Sequence, residues 1–287
     1  MSVNFGPGFH ATSGQHVDRS AYERYLGRWS RLFVPEVLAA AEIAVAHRVL
    51  DVATGTGEVA AMALSRVGRA GRVVGADISV AMLAAAHSRL ADPRFQPVAA
   101  DGQALPFADG TFDSVICHLG LMFFPDPARG VKELRRVLRR GRRAALCVIS
   151  TAERAPMWGV LAETLARYLP DQREVLHLSF ALGNARHFEG LFLSAGFRDI
   201  IVTREVRECR FESFDDYWDP IEGGAGSLPL AYRALPETTR RAVREEVRMR
   251  LSDFESKGRL VMTVEMLLGG RAACRPPAGA AGELSPM

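Results

Sequence analysis

Asp51, Gly55, Gly57 and Asp77 are the residues whose types and spacing suit chemistry. They stand in Val49-Leu50-Asp51-Val52-Ala53-Thr54-Gly55-Thr56-Gly57-Glu58, and Asp77 follows Gly57 by twenty residues, closing the apolar run Val73-Val74-Gly75-Ala76. The chemistry they suggest is nucleotide binding. Glycines let the backbone approach a ligand with no Cβ in between, and a helix starting where the turn ends presents unpaired N–H groups. An acid at the carboxyl end of the next strand accepts hydrogen bonds from both ribose hydroxyls.

Two ligands satisfy that pattern. Gly55-x-Gly57-x-x-Ala60 fits the dinucleotide fingerprint with alanine in third place, and Asp77 stands where that fingerprint wants its acid. Asp51, four residues before Gly55, favours the other. A carboxylate inside the turn repels a pyrophosphate but suits the ammonium of a methionine moiety. The acidic-x-Ala-x-Gly-x-Gly pattern resembles motif I of class I S-adenosylmethionine-dependent methyltransferases.

The elements that must position these residues alternate short β-branched runs with helical patterns, the signature of an α/β chain with a parallel sheet covered on both faces. Strands are expected over 49–52, 72–77, 95–99, 112–117 and 144–149, and later over 200–206 and 260–268. Helices are expected over 57–67, over 80–90 capped by Ser79, and after Asp126 and Pro127. Further helices are expected over 156–169 and 187–195. Together they describe a doubly wound, mostly parallel seven-stranded sheet. Before the last strand, Phe214 to Trp218, a glycine joint at 223–227 and an amphipathic stretch from Pro236 to Phe254 read as a helical cap over the ligand end.

Leu105-Pro106-Phe107-Ala108-Asp109-Gly110-Thr111-Phe112-Asp113 and Arg136-Val137-Leu138-Arg139 add to the first motif. Over roughly Arg48 to Ser150 the chain is similar to the type-11 methyltransferase group, which includes the ubiquinone and menaquinone C-methyltransferases. It departs from that group where Arg140-Gly141-Arg142 replaces a Pro-Gly-Gly turn. The resemblance implies S-adenosylmethionine as cofactor. It implies Asp51, Ala53, Gly55 and Gly57, with Thr54 in the same turn, around the methionine and ribose, and Asp77 on the ribose hydroxyls. Ile78 and Met82 would lie against the adenine, Asp101 would accept from its amino group, and Gly102 would permit close backbone approach. The expected organisation is an N-terminal helical segment (1–46) covering the cofactor site with Tyr25 and Trp29, a core (47–210), a cap (211–258), a final strand (259–270) and a disordered tail (271–287).

Composition narrows the alternatives. At 287 residues and 48% hydrophobic, the chain can bury one substantial core. No apolar run reaches the ~18 residues of a membrane span. The polar first twenty residues lack the apolar region of a secretion signal, so the cytoplasm is expected. Only Lys132 and Lys257 among 36 basic residues are lysines, and the net charge is +3, which reads as arginines on solvated faces rather than a nucleic-acid surface. The run from Arg135 to Arg143 is expected at a helix end. Cys117, Cys147, Cys209 and Cys274 show no metal or disulfide spacing. No metal is expected, and the chain is read as a monomer or homodimer.

Methyl transfer from a sulfonium demands alignment of nucleophile, carbon and sulfur in a dry site. After the fourth strand stands His118-Leu119-Gly120-Leu121-Met122-Phe123-Phe124, without the polar-Pro-Pro-aromatic tetrad expected of enzymes that methylate nucleic-acid amino groups. His118 is the candidate catalytic residue, as a general base for a phenol or enolisable carbon, and alternatively a wall of the cofactor pocket. His177 and His187 are weaker candidates; His10, His16, His47 and His87 are expected on the solvent side. Tyr22, Tyr25, Trp29, Trp158, Phe214, Tyr217 and Trp218 could wall a pocket for a small, largely apolar acceptor. A nicotinamide-dependent oxidoreductase and an S-adenosylmethionine binder without methyl transfer remain alternatives, and the acceptor atom is open between O, N and C.

Overall fold

The computed structural model describes residues 22–224 and 226–271. His10, His16, Cys274 and the tail from 272 onward lie outside those residues, as do the first twenty-one residues of the N-terminal segment.

Apolar runs form the strands β1 (Arg48–Val52), β2 (Arg72–Asp77), β3 (Phe95–Ala99), β4 (Phe112–His118) and β5 (Leu138–Ile149). After these come β6 (Ile200–Phe211), β7 (Glu255–Ser256) and β8 (Arg259–Arg271). The sheet order is β3-β2-β1-β4-β5-β8-β6, with β7 paired to β8. The first five strands are parallel, and β8 runs antiparallel to both β5 and β6. Strand order therefore reverses between β1 and β4, and open α/β sheets bind ligands beyond the carboxyl ends of the strands at such a point.

The helices are α1 (Val34–Ala40), α2 (Glu58–Val67), α3 (Val80–Leu90), α4 (Pro127–Val137), α5 (Pro156–Tyr168), α6 (Ala185–Ser194), α7 (Phe214–Glu222), α8 (Ser227–Arg233) and α9 (Glu237–Leu251). Their starts follow from capping: the Ser79 side chain accepts from the Met82 N–H, and Asp126 accepts from the Arg129 N–H with Pro127 in the first turn. Both faces of the sheet are covered. Successive residues of a strand point to opposite faces; a Cβ on Gly269 would meet Phe192 of α6 and one on Gly270 would meet Ala40 of α1. Central-strand residues such as Leu50, Val115, Ile116 and Leu146 are accordingly buried.

Four details differ from the sequence reading. An eighth strand, the two-residue β7, joins the sheet. β5 begins at Leu138 rather than 144, and its register with β4 shifts between Phe112 and Ser114. Of the arginine run, Arg135 and Arg136 close α4 as expected, while Arg139 to Arg143 lie on β5, where the exposed Arg139 and Arg142 pair with buried Asp113 and Arg143 pairs with Glu42. β6 continues to Phe211: Cys209 and Phe211 are buried on one face while Glu208 and Arg210 are exposed on the other, a charged alternation that an edge strand tolerates. Finally, the joint before α9 contains the helix α8, whose Pro229 falls in the first turn, where proline is tolerated.

Candidate cofactor and acceptor site

A cleft opens over the strand tips at the reversal between β1 and β4. The glycine turn forms its floor. Ala53, Gly55 and Gly57 have φ of 57°, 54° and 82°, the left-handed region that glycine enters without a Cβ penalty. Thr54 Oγ1 donates to Asp51 Oδ2 at 2.6 Å, which turns the carboxylate at the end of β1 toward the cleft. Asp77, at the end of β2, accepts from the Gly55 N–H at 2.9 Å and the Ser79 N–H at 2.8 Å, tying the turn to the next helix.

Both acids are buried, and burial raises both pKa values. Asp51 is pushed up to about 7 by desolvation, with the Thr54 hydrogen bond pulling down and the Asp77 charge pushing up. No arginine or lysine pairs with either acid among the described residues. Such a carboxylate suits a ligand cation.

The remaining walls come from five segments. Ile78 and Met82 continue from Asp77, while Ala100 and Gly102 line the tip of β3. His118 to Gly120, Met122, Phe123 and Phe124 follow β4. The N-terminal stretch from Tyr22 to Ser30 covers the cleft, and Trp158, Ser179 and Gly226 to Leu228 close the far side. The N-terminal stretch is latched down by ion pairs: Arg31 and Arg89 each bridge Glu23 and Glu58, and Thr56 donates to Glu23 at 2.8 Å.

His118 lies at the mouth of β4 with Nε2 3.1 Å from the Ser30 carbonyl oxygen. A carbonyl only accepts, so Nε2 carries the proton and Nδ1 carries the lone pair. Desolvation lowers the His118 pKa to about 4, with the Ser30 contact opposing, so the ring is neutral at ordinary pH. Its Nδ1 is buried with no partner among the described residues.

Several expected site residues stand elsewhere. Gly57 does not line the cleft; a Cβ there would meet Ala86 and Leu90 of α3, so its glycine serves the turn and helix packing. The Asp101 carboxylate accepts from the Gln103 N–H at 2.8 Å and side-chain amide at 3.1 Å, and its neighbours Ala100 and Gly102 face the cleft instead. Trp29 packs on Phe211 with ring centroids 4.5 Å apart, beneath Arg28. Phe214, Tyr217 and Trp218 build the core of the cap: Phe214 stacks on Trp218, and the Tyr217 hydroxyl donates to the Met157 carbonyl at 2.9 Å. Those rings satisfy one another.

His177 pairs with Glu163, His47 lies beside Ser114 and Arg142, and His87 and His187 are exposed. Sequence patterns gave no hint of Ser30, Ser179 or Leu228, which reach the cleft only through the cap and the N-terminal stretch. Among the described residues no helix is long and apolar enough to cross a membrane, and no group of three His, Cys, Asp or Glu could hold a metal ion.

Comparison with known proteins agrees with this geometry. Residues 49–141 match the family described as a methyltransferase domain. That segment, from β1 to the start of β5, is therefore similar to a methyltransferase domain. A ubiquinone/menaquinone biosynthesis C-methyltransferase of Xylella fastidiosa is 38% identical over 127 residues, 43% of this chain and 49% of that one. A demethylmenaquinone methyltransferase of Corynebacterium kroppenstedtii is 39% identical over 130 residues, 45% of this chain and 54% of that one. The chain thus spans about half the length of the curated relatives it matches.

Among solved structures, the YcgJ protein of Bacillus subtilis is similar with a TM-score of 0.54 at 20% identity, covering 84% of this chain and 98% of that one. The phosphoethanolamine N-methyltransferase 2 of Haemonchus contortus, solved with S-adenosyl-L-methionine, has a TM-score of 0.57 at 18% identity, covering 88% of this chain and 56% of that one. These establish the shared Rossmann-like fold.

Proposed function

We propose that the chain is an S-adenosylmethionine-dependent methyltransferase acting on a small, largely apolar molecule. The observation that carries this reading is the pair of buried, cation-free carboxylates, Asp51 and Asp77, at adjacent strand tips of a methyltransferase domain. In a nicotinamide enzyme Asp51 would face a pyrophosphate, and two like charges in a buried cleft repel.

In this reading Asp51, oriented by Thr54, receives the ammonium, and Asp77 accepts from the ribose hydroxyls. Ile78, Met82 and Gly102 bound the adenine. The cofactor supplies an electrophilic methyl group on a sulfonium. Everything else is positioning in a cleft with little water, an effect that reaches roughly 7 to 11 kcal/mol in well-aligned intramolecular reactions. The neutral His118 Nδ1 takes the acceptor's proton where the acceptor is a hydroxyl or an acidic carbon. The relatives named above are a ubiquinone/menaquinone biosynthesis C-methyltransferase and a demethylmenaquinone methyltransferase, names that support a neutral, apolar acceptor. Calorimetric titration with S-adenosylhomocysteine and with NADH tests the cofactor; saturable binding of NADH alone would replace this reading with the oxidoreductase.

A further inference from the structure

Three buried polar atoms in the cleft lack hydrogen-bond partners among the described residues: the Tyr25 hydroxyl, His118 Nδ1 and Trp158 Nε1. Tyr25 and His118 are 9% exposed and Trp158 only 2%. All three residues line the same cleft. Leaving such atoms unpaired is costly, so they mark where a ligand or water makes its bonds.

Their location separates them from the nucleotide end. Asp51, Asp77, Ile78 and Gly102 sit over the tips of β1, β2 and β3, whereas His118 ends β4 and Trp158 is in the first turn of α5, just after β5. Neighbouring strands lie ~4.8 Å apart, so the β5 tip is about 10 Å from that of β1. Tyr25 sits beneath Gly226 of the cap, within 3.5 Å of where a Cβ on that glycine would fall. The lining at this end is mostly apolar, with Ile149, Leu119 and Leu228 beside the small polar Ser179 and Ser227, and the cleft's carboxylates, Asp51, Glu58 and Asp77, lie on β1, α2 and β2.

The three atoms differ in what they can do. Trp158 Nε1 only donates, and His118 Nδ1, with Nε2–H committed to Ser30, only accepts; the Tyr25 hydroxyl does either. We infer that Trp158 and His118 are specificity-determining residues that read a neutral, hydroxylated carbonyl compound, Trp158 donating to its carbonyl oxygen and His118 accepting from its hydroxyl. Tyr25 closes the set from above. A protonated amine finds no acid at this end, and a carboxylate finds no arginine or lysine. Trp158 and Tyr25 both lie outside the segment matched by the family model. The assignment rests on the methyltransferase reading, since it takes the β1–β3 end to be filled by the cofactor.

The test uses the full chain and two bicyclic probes of similar size: coumarin, which has a carbonyl and no hydroxyl, and 2-naphthol, which has a hydroxyl and no carbonyl. Each is titrated with and without saturating S-adenosylhomocysteine into the wild type, Trp158→Phe, His118→Leu and His118→Asn. Trp158→Phe should weaken coumarin about tenfold and spare 2-naphthol; His118→Leu should do the reverse. His118→Asn, whose Oδ1 takes the place of Nδ1, should retain 2-naphthol binding and guards against a misfolded leucine variant.

Equal weakening of both probes by either variant, binding of neither probe to the wild type, or a tenfold loss of S-adenosylhomocysteine affinity in Trp158→Phe overturns the assignment. If the wild type does not bind S-adenosylhomocysteine while the crossed probe pattern holds, the cofactor reading falls and the assignment stands.

Discussion

Raising the pH from about 6 to about 8 should tighten S-adenosylhomocysteine binding about tenfold in the wild type and far less in Asp51→Asn. The reason is the burial of Asp51, which lifts its pKa to about 7 in the ligand-free protein. A ligand ammonium beside that carboxylate favours the charged form and pulls the pKa down, so binding expels a proton wherever the free protein still holds one. With a pKa near 7, roughly a tenth of the molecules have Asp51 ionised at about pH 6 and roughly nine-tenths at about pH 8, hence the tenfold change. Asp77 is raised as well, but its ligand partners are hydroxyls, and Asp51→Asn removes only the Asp51 share.

The same shift gives a stability signature without ligand. Asp51 has a folded pKa above its unfolded one, so its contribution is complete below about pH 4 and is lost as pH rises through about 7. His118 works oppositely: its folded pKa of about 4 lies below the unfolded value, so it adds stability as pH rises from about 4 to about 6.5. Calorimetry at several pH values, in buffers of differing ionisation enthalpy, counts the proton released. An affinity that falls with pH, or an identical slope in the wild type and Asp51→Asn, would refute the placement of the ammonium at Asp51.

Three further outcomes are expected. Asp77→Ala removes the acceptor for the Gly55 and Ser79 N–H groups and should weaken S-adenosylhomocysteine at least tenfold while lowering stability by about 1–3 kcal/mol; an unchanged affinity in calorimetry would remove the ribose assignment. Gly102→Ala would put a Cβ 2.3 Å from Phe124 Cζ, so the ring, which also lines the cleft, must give way; about 1–3 kcal/mol of stability and much of the cofactor affinity should be lost, and a wild-type melting curve would contradict the packing. Arg136 donates to the carbonyls of Leu105 and Phe107 and to Asp109 and Glu133; Arg136→Ala should cost about 2–3 kcal/mol in denaturant unfolding, and a loss below measurement error would show that the 105–109 loop holds itself.

The Arg136 contacts explain part of what the sequence made legible. The segment Leu105 to Asp113 and Arg136 stand apart in the chain yet form one joint, so a motif spaced along the sequence reports a fold contact. β1 to β4 and the glycine turn were legible because their determinants are local: apolar runs of strand length, left-handed turn positions and side-chain caps. What decides the orientation of an aromatic ring is not local. Trp29, Phe214, Tyr217 and Trp218 have the composition of a ligand wall, but Trp29 and Tyr217 meet Phe211 of β6, the Tyr217 hydroxyl reaches Met157 of α5, and Trp218 packs edge-on against Tyr232 of α8. The arginine run closes α4 and leaves Arg139, Arg140 and Arg142 exposed as its composition suggests, but its partners Asp113 and Glu42 come from distant segments and could not be read from spacing. Nor could spacing alone show that Asp101 spends its carboxylate on Gln103 while Gly102 faces the cleft.

The central claim is that the cleft over β1 and β2 holds an adenosyl amino acid, and direct titration of the full chain with S-adenosylhomocysteine tests it most simply. One saturable site of micromolar affinity is expected, abolished by Gly55→Val, because valine cannot adopt the turn's φ of +54° without strain and its side chain enters the space beside the Tyr22 hydroxyl. No heat with S-adenosylhomocysteine, or binding that survives Gly55→Val, would contradict it.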